Sequence, residues 1–355
     1  MGKEENMVVA GYYGFGNLGD EAIRTALMDA LRSRGFRPVV LVARAQEQDE
    51  VKRTAPMRVF RALRRSLALV FGGGGLLQNR TSRRSLFYYL GLILLARIAR
   101  RPVFLLGQGI GPIRGKIARS ATRFALSGVS YRGCRDRGSL STIRGLGLEG
   151  TLDGDLFFLT PPVGRLEGPR SSKQELRILL SLTAPDRAAW GRCVAGWTVL
   201  LETLRAKIEF KVTFLPFFPA QDRPFAEEIS AWLSYPCEIR CPGSIEEGSE
   251  AIANADLLIA SRLHPLEFAL RVGTPMLAVA EDPKITAFVE EVRSVDGPAL
   301  SCLPSPTAEE ILSVLRDPPS CEALQAAYKR LHERVTAAFA RFRKELEAIP
   351  GKDDD

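Results

Sequence analysis

Short β-branched runs alternate with longer helical patterns along the whole chain. This restricts the fold more than any other feature, because parallel strands must be joined by crossovers of a dozen residues or more, usually helical. In the first half, strands are expected at 7–10, 38–43, 67–71, 102–106, 128–132 and 151–158, with helices near 20–34, 55–65, 80–99, 114–127 and 138–145. A break rich in Pro, Gly and Ser follows at 161–172, the composition of a linker. The alternation then restarts, with strands at 177–182, 211–217, 237–240, 256–260 and 275–280 and helices near 187–206, 222–233, 244–254, 265–272, 283–292 and 307–316. The expectation is an α/β protein of two doubly wound, Rossmann-like domains, 1–160 and 173–318, facing a cleft. Residues 319–355 add a helix, with Leu324, Tyr328, Leu331, Val335, Phe339 and Phe342 at helical spacing, and a charged tail. A length of 355 residues fits two domains.

Ligands of such sheets bind beyond the carboxyl ends of the strands, so strand-to-helix loops are where chemistry is sought. Three of them are glycine-rich: Gly11–Glu21 (GYYGFGNLGDE), Gly72–Gly75, and Gly107–Pro112 (GQGIGP). Glycine allows positive φ and close backbone approach, and exposed N–H groups beside a helix N-terminus can cradle an anion. Three such loops at equivalent strand ends describe a ligand floor, on which Gly14, Asn17, Gly73, Gly74, Gln108 and Gly109 are expected to bind substrate.

The first loop contains G-x-G-x-x-G at Gly14, Gly16 and Gly19, which raises a dinucleotide. That reading needs an acid at the end of the second strand to hold the ribose, and the strand 39–43 ends instead at Arg44. An arginine could meet the 2′-phosphate of NADP, so an NADP-dependent oxidoreductase stays open. Asp20 directly precedes the helical pattern from Glu21, where a carboxylate caps free N–H groups; facing a cleft, it could instead act as a base.

The chain has two histidines. His332 lies inside the C-terminal helical pattern and reads as a packing or surface residue. His264 falls in Ser261–Arg262–Leu263–His264–Pro265, straight after an apolar strand and at a helix start. Arg262 and His264 therefore emerge where a helix dipole and free N–H groups favour an anion, and arginine recognises carboxylate or phosphate bidentately. Arg262 and Leu263 are expected to bind substrate, with His264 catalytic.

These residues resemble the polysaccharide pyruvyl transferase family, in its bacterial cell-surface-anchoring branch. The likeness runs through GYYGFGNLGDEAI at 11–23, FGGGGLLQNRTSRRSLFYYLG at 71–91, GQGIGP, CRDRGSL at 134–140, SRLHPLEFAL at 261–270 and DPKITAF at 282–288. Departures lie at 180–187, which keep only part of a Gly-x-Ser-x-Arg-x-Trp segment, and at Gly154–Phe157, which retains the aspartate of an Asp-Pro pair as Asp155 but not the proline. The resemblance implies a glycosyltransferase B-like architecture. It also implies transfer of a pyruvyl group from phosphoenolpyruvate to a sugar as a ketal, without cofactor or metal. The expected acceptor is an N-acetylmannosamine of a lipid-diphosphate-linked cell wall precursor. On this reading Arg262 clamps the donor, His264 is acid or phosphate partner, and Asp20 is the base. A nucleotide-sugar glycosyltransferase of the same architecture, with Glu267 or Glu281 on ribose, stays open too, as does a non-catalytic polymer-binding protein.

The net charge of +8 is concentrated early, from Arg44 to Arg84, a field that attracts phosphates or anionic lipid. Basic residues are not interleaved with aromatics in any nucleic-acid motif, so no nucleic-acid partner is expected. The run 86–96 is too short to span a bilayer, which takes about 20 residues, but flanking arginines suit peripheral contact with the inner membrane surface. Six cysteines without a C-x-x-C pair imply reduced thiols and a cytoplasmic location.

Overall fold

The computed structural model describes residues 5–80, 82–163, 175–184 and 186–348. The linker expected at 161–172 lies outside them beyond Val163, as does the tail at 351–355. Two compact units divide the chain: one takes residues up to Phe15, Asp20–Thr160 and those from His332 onward, the other Gly16–Gly19 and Pro161–Leu331.

The first unit is a seven-stranded parallel sheet in the order β3-β2-β1-β4-β5-β6-β7. Its strands are β1 (Glu5–Ala10), β2 (Phe36–Val42), β3 (Glu50–Lys52), β4 (Leu69–Gly72), β5 (Val103–Gln108), β6 (Tyr131–Cys134) and β7 (Thr151–Leu152). Apolar runs such as LVFG of β4 and VFLLGQ of β5 are buried throughout, as strands covered on both faces must be. Helices α2 (Pro56–Arg64), α3 (Arg83–Ile98), α4 (Lys116–Ser127) and α5 (Arg137–Gly145) follow right-handed crossovers onto one face. Helix α1 (Leu18–Arg32) and the second half of α12 (Cys321–Glu347) cover the other: Phe342 meets Phe104 edge-on at 5.0 Å, and Arg34 lies over Phe339.

The second unit repeats the plan with six parallel strands, β10-β9-β8-β11-β12-β13. These are β8 (Leu176–Ser181), β9 (Phe210–Phe214), β10 (Glu238–Ile239), β11 (Leu257–Ala260), β12 (Met276–Val279) and β13 (Ser301–Leu303). Helices α6 (Trp190–Arg205), α7 (Pro219–Trp232) and α11 (Ala308–Arg316) build the core on one face. Helices α8 (Ile245–Ala253), α9 (Leu263–Val272) and α10 (Pro283–Arg293) pack on the other. In each sheet the strand order reverses once, between β1 and β4 and between β8 and β11. Those two points are where open α/β sheets bind ligands.

Three expectations change. Strand 151–158 stops at Leu152, because Gly154 turns with φ 100° and Asp155 accepts the Phe157 N–H at 3.0 Å, capping a 3₁₀ turn at Leu156–Leu159. Strands β3 and β13 went unforeseen, each being a three-residue edge strand without an apolar run. The capping position of α1 belongs to Asn17, whose Oδ1 accepts the Gly19 N–H at 3.1 Å; Asp20 sits inside the first turn.

Phe342 is 1% exposed. Phe342→Ala should cost about 3–5 kcal/mol in urea unfolding of the first unit, as a phenyl-sized cavity does; a loss under about 1 kcal/mol would show that α12 does not complete that core.

Candidate active site

At the switch point of the second unit, β11 ends in a fully buried Leu-Leu-Ile-Ala run and the chain turns through Ser261 into α9. Arg262 is the N-cap residue, in extended backbone (φ −109°, ψ 142°), and its side chain makes no capping bond. It reaches instead to Asp222, in the first turn of α7 and 1% exposed. Asp222 Oδ1 accepts from Arg262 Nε at 3.0 Å and from Nη2, while its Oδ2 accepts the Phe218 N–H at 2.9 Å. Nη2 also donates to Gln221 Oε1 at 3.1 Å and to Thr183 Oγ1 at 3.2 Å, where β8 gives way to its loop. Thr183 is tied to the same turn, its N–H donating to Ser261 Oγ at 2.9 Å. A carboxylate this buried needs a cation, and the pairing fixes the guanidinium. Among the described residues the hydrogen bonds of Arg262 all use Nε and Nη2, and none uses Nη1.

His264 follows in the first turn of α9, half-buried, with Leu263 turned into the core. Its ring lies against Gly19 so closely that a Cβ there would stand 1.9 Å from Nδ1 and 2.0 Å from Cγ. Gly19 is the third glycine of the opening motif, and its lack of a side chain makes room for an imidazole. Leu18 anchors this segment by donating its N–H to Phe217 O at 2.9 Å. Asn17, Gly19, Arg262 and His264 thus belong to one arrangement within the second unit.

Glu281 lies just past β12, with Oε2 buried and without a hydrogen-bond partner among the described residues. Burial pushes its carboxyl up from 4.5 to about 7.

At the switch point of the first unit, all but one of the other expected residues gather. Gly73 and Gly74 have φ of 71° and 75°, conformations that glycine adopts without penalty. Gln108 is fully buried, and its Nε2 donates to Gly74 O; its Oε1 has no partner among the described residues. The Gly109 N–H donates to the same carbonyl at 2.9 Å. A Cβ on Gly74 would lie 3.3 Å from Asp20 Oδ1, so the Asp20 carboxylate borders this loop. Gly14 lies elsewhere: with φ 76° it packs against Val42 and Ala43 at the end of β2, and its N–H donates to Glu21 Oε1 at 2.6 Å. Burial, then the Asp20 charge, raises the Tyr12 and Tyr13 phenols.

Two arginines of this unit were missed. Arg135 Nη2 lies 3.0 Å from where a Gly109 Cβ would stand, and Arg135 pairs with Asp136 at 3.1 Å and Asp155 at 3.7 Å. The CRDRGSL segment that contains it was the available signal. Arg53, after β3, lies over the rings of Tyr88, Tyr89 and Phe15 at 4.3, 5.1 and 5.4 Å. No carboxylate pairs with it among the described residues, and its Nη1 is buried without a partner. Nothing in local sequence announced this, because two segments distant from Arg53, the loop after β1 and helix α3, supply the rings.

Gly19→Ala should displace His264 and lower the thermal midpoint of the second unit, since the added Cβ would lie 2.5 Å from His264 Cβ as well as against its ring. The measurable outcome is loss of the His264 imidazole's native NMR chemical shift, and an unshifted resonance would contradict the close approach. For Glu281, the folded state holds a proton that the unfolded chain releases near pH 4.5. Its stabilisation is complete below about pH 4.5 and is lost as pH rises through about 7. Thermal midpoints of Glu281→Gln should therefore fall less than those of the parent across that window; parallel curves would refute the raised value.

Known proteins place these observations in a family. No curated protein matches the sequence significantly. The chain shares its fold with a glycosyltransferase from Rickettsia africae (8% identity, 98% of this chain and 100% of that chain, TM-score 0.62). It is also similar to a putative UDP-N-acetylglucosamine 2-epimerase from Listeria monocytogenes (13% identity, 97% and 98% covered, TM-score 0.60). A third likeness is to Anabaena HepE, solved with UDP-glucose (10% identity, 98% and 100% covered, TM-score 0.59). At these identities the likeness establishes the glycosyltransferase B-like fold. The family model described as polysaccharide pyruvyl transferase matches residues 17–283, which include Gly73, Gly74, Gln108, Arg262 and His264, and the chain belongs to that family.

Proposed function

We propose that this enzyme transfers the pyruvyl group of phosphoenolpyruvate to two hydroxyls of one sugar, forming a cyclic ketal and releasing phosphate. The observation that carries the reading is the guanidinium of Arg262, held by Asp222 at the switch point of the second unit with His264 two residues on. Phosphoenolpyruvate is a small trianion, and a fixed arginine at a helix N-terminus suits its carboxylate or phosphate.

The chemistry balances as follows. A proton adds to C3 of the enol and C2 becomes electrophilic. One sugar hydroxyl forms a C2–O bond and gives up its proton. The C2–O bond to phosphate breaks, and the second hydroxyl closes the ketal with loss of its own proton. His264 is assigned the proton at the phosphate or enol end, since imidazole exchanges protons near neutrality. Asp20, beside Gly74 in the first unit, is assigned as base for an acceptor hydroxyl. Gly73, Gly74, Gln108 and Gly109 would offer the sugar main-chain and amide groups, and the unpartnered Gln108 Oε1 is an acceptor available to a hydroxyl. Arg53 would neutralise an anionic part of the acceptor. The family resemblance favours N-acetylmannosamine on a lipid diphosphate, at the cytoplasmic membrane face, with neither nucleotide nor metal.

Purified enzyme should release phosphate from phosphoenolpyruvate only when an N-acetylmannosamine-containing acceptor is present. Arg262→Ala should lower kcat/KM by about 10²–10³-fold, the scale of losing one preorganised electrostatic group. Release unaffected by acceptor, or undiminished in Arg262→Ala, would refute the proposal. Binding of a uridine diphosphate-sugar but not of phosphoenolpyruvate would favour a glycosyltransferase.

A further inference from the structure

Between Glu50 and Asp136 the chain has eighteen lysines and arginines and no acidic residue. That stretch holds α2, α3 and α4, which lie side by side on one face of the first sheet. None of the three has an acid in its first turn, whereas α1, α8 and α11 do. Their positive dipole ends are thus uncompensated. Each also presents one large apolar side chain to solvent near that end: Met57, 64% exposed, Phe87, 46%, and Ile117, 81%. Exposed basic residues surround them, including Arg58, Arg83, Arg84, Arg114 and Lys116. The loops preceding α3 and α4 are tied together, since Asn79 Nδ2 donates to Arg114 O at 2.7 Å and the Arg114 N–H to Asn79 Oδ1 at 2.8 Å.

We infer that this rim docks on an anionic lipid bilayer. In parallel α/β units, helix N-termini stand at the carboxyl ends of the strands, the same edge as the glycine loops. Docking through the rim would turn that edge of the first unit toward the lipid surface. The charge supplies attraction to acidic headgroups, and the three apolar side chains supply insertion at the headgroup boundary. Binding to nucleic acid would use the charge alone and leave the apolar residues without a role. The inference extends the lipid-linked acceptor proposed above but does not depend on the donor or on turnover.

The test is co-sedimentation of the full chain with phosphatidylcholine vesicles, with and without about 30 mol% phosphatidylglycerol, an anionic surface of the kind that attracts basic segments. The chain should bind the anionic vesicles at least about tenfold more tightly than the neutral ones, and less tightly in high salt. M57S/F87S/I117S should weaken anionic binding by about tenfold or more, the scale expected on removing inserted apolar area. The same variant should keep its thermal midpoint and its turnover on a soluble acceptor. The inference would be overturned by absence of binding to anionic vesicles, or by a triple variant that binds like the parent. It would be overturned equally if I98S/F124S, altering exposed residues at the other ends of α3 and α4, abolished binding in place of the triple variant. Retention on duplex DNA that competes with vesicles and ignores the apolar substitutions would assign the surface to nucleic acid.

Discussion

A carboxylate removed from water must find a cation or lose its charge, and the second unit is organised around that requirement at Asp222. The Phe218 N–H, the Arg262 guanidinium and the turn at Ser261–Thr183 all converge on it or on its partner. The two residues lie forty positions apart, one at the start of α7 and the other at the start of α9. Their pairing therefore joins the loops of two strands as well as two charges. Breaking a buried pair typically costs about 3–5 kcal/mol, since the remaining charge stays buried. An arginine held this way has little freedom to follow a ligand. It offers a fixed donor group, and a fixed group needs no reorganisation when charge develops on a bound anion.

The glycine motif that first suggests a dinucleotide gains a different explanation from the same geometry. In dinucleotide-binding turns, glycines open the way for a pyrophosphate. Here Gly19 gives way to the ring of His264, and Gly14 fits against the end of β2. The pattern of three glycines is real, but two of its members serve the protein's own packing.

Much of the architecture was legible because it rests on local periodicity. Buried parallel strands such as Leu257–Ala260 read as unbroken apolar runs, and amphipathic helices such as Cys321–Glu347 kept their spacing. What escaped depends on pairing between distant segments. Edge strands β3 and β13 exist because a neighbour offers a ladder, and Glu50–Lys52 has no apolar run of its own. Asp155 looked like part of a strand, yet its carboxylate caps a 3₁₀ turn. In the candidate site, the placement of Arg262 and His264 at the start of α9 was legible from the apolar strand before them. Asp222 was not, since an acid in a helix's first turn usually marks only a favourable dipole contact. The aromatic surroundings of Arg53 likewise arise from β1, β3 and α3 meeting in space.

The central claim is that Asp222 fixes Arg262 as an anion-binding group, and calorimetric titration of phosphoenolpyruvate into the parent and into Asp222→Asn tests it most directly. The substitution keeps the size of the side chain but removes the charge that holds the guanidinium, together with one of the two acceptor oxygens shared between Arg262 and the Phe218 N–H. The account predicts a dissociation constant raised by about tenfold or more, the equivalent of about 1.4 kcal/mol, in a variant whose Arg262 is otherwise unchanged. Equal affinity in the two proteins would contradict it.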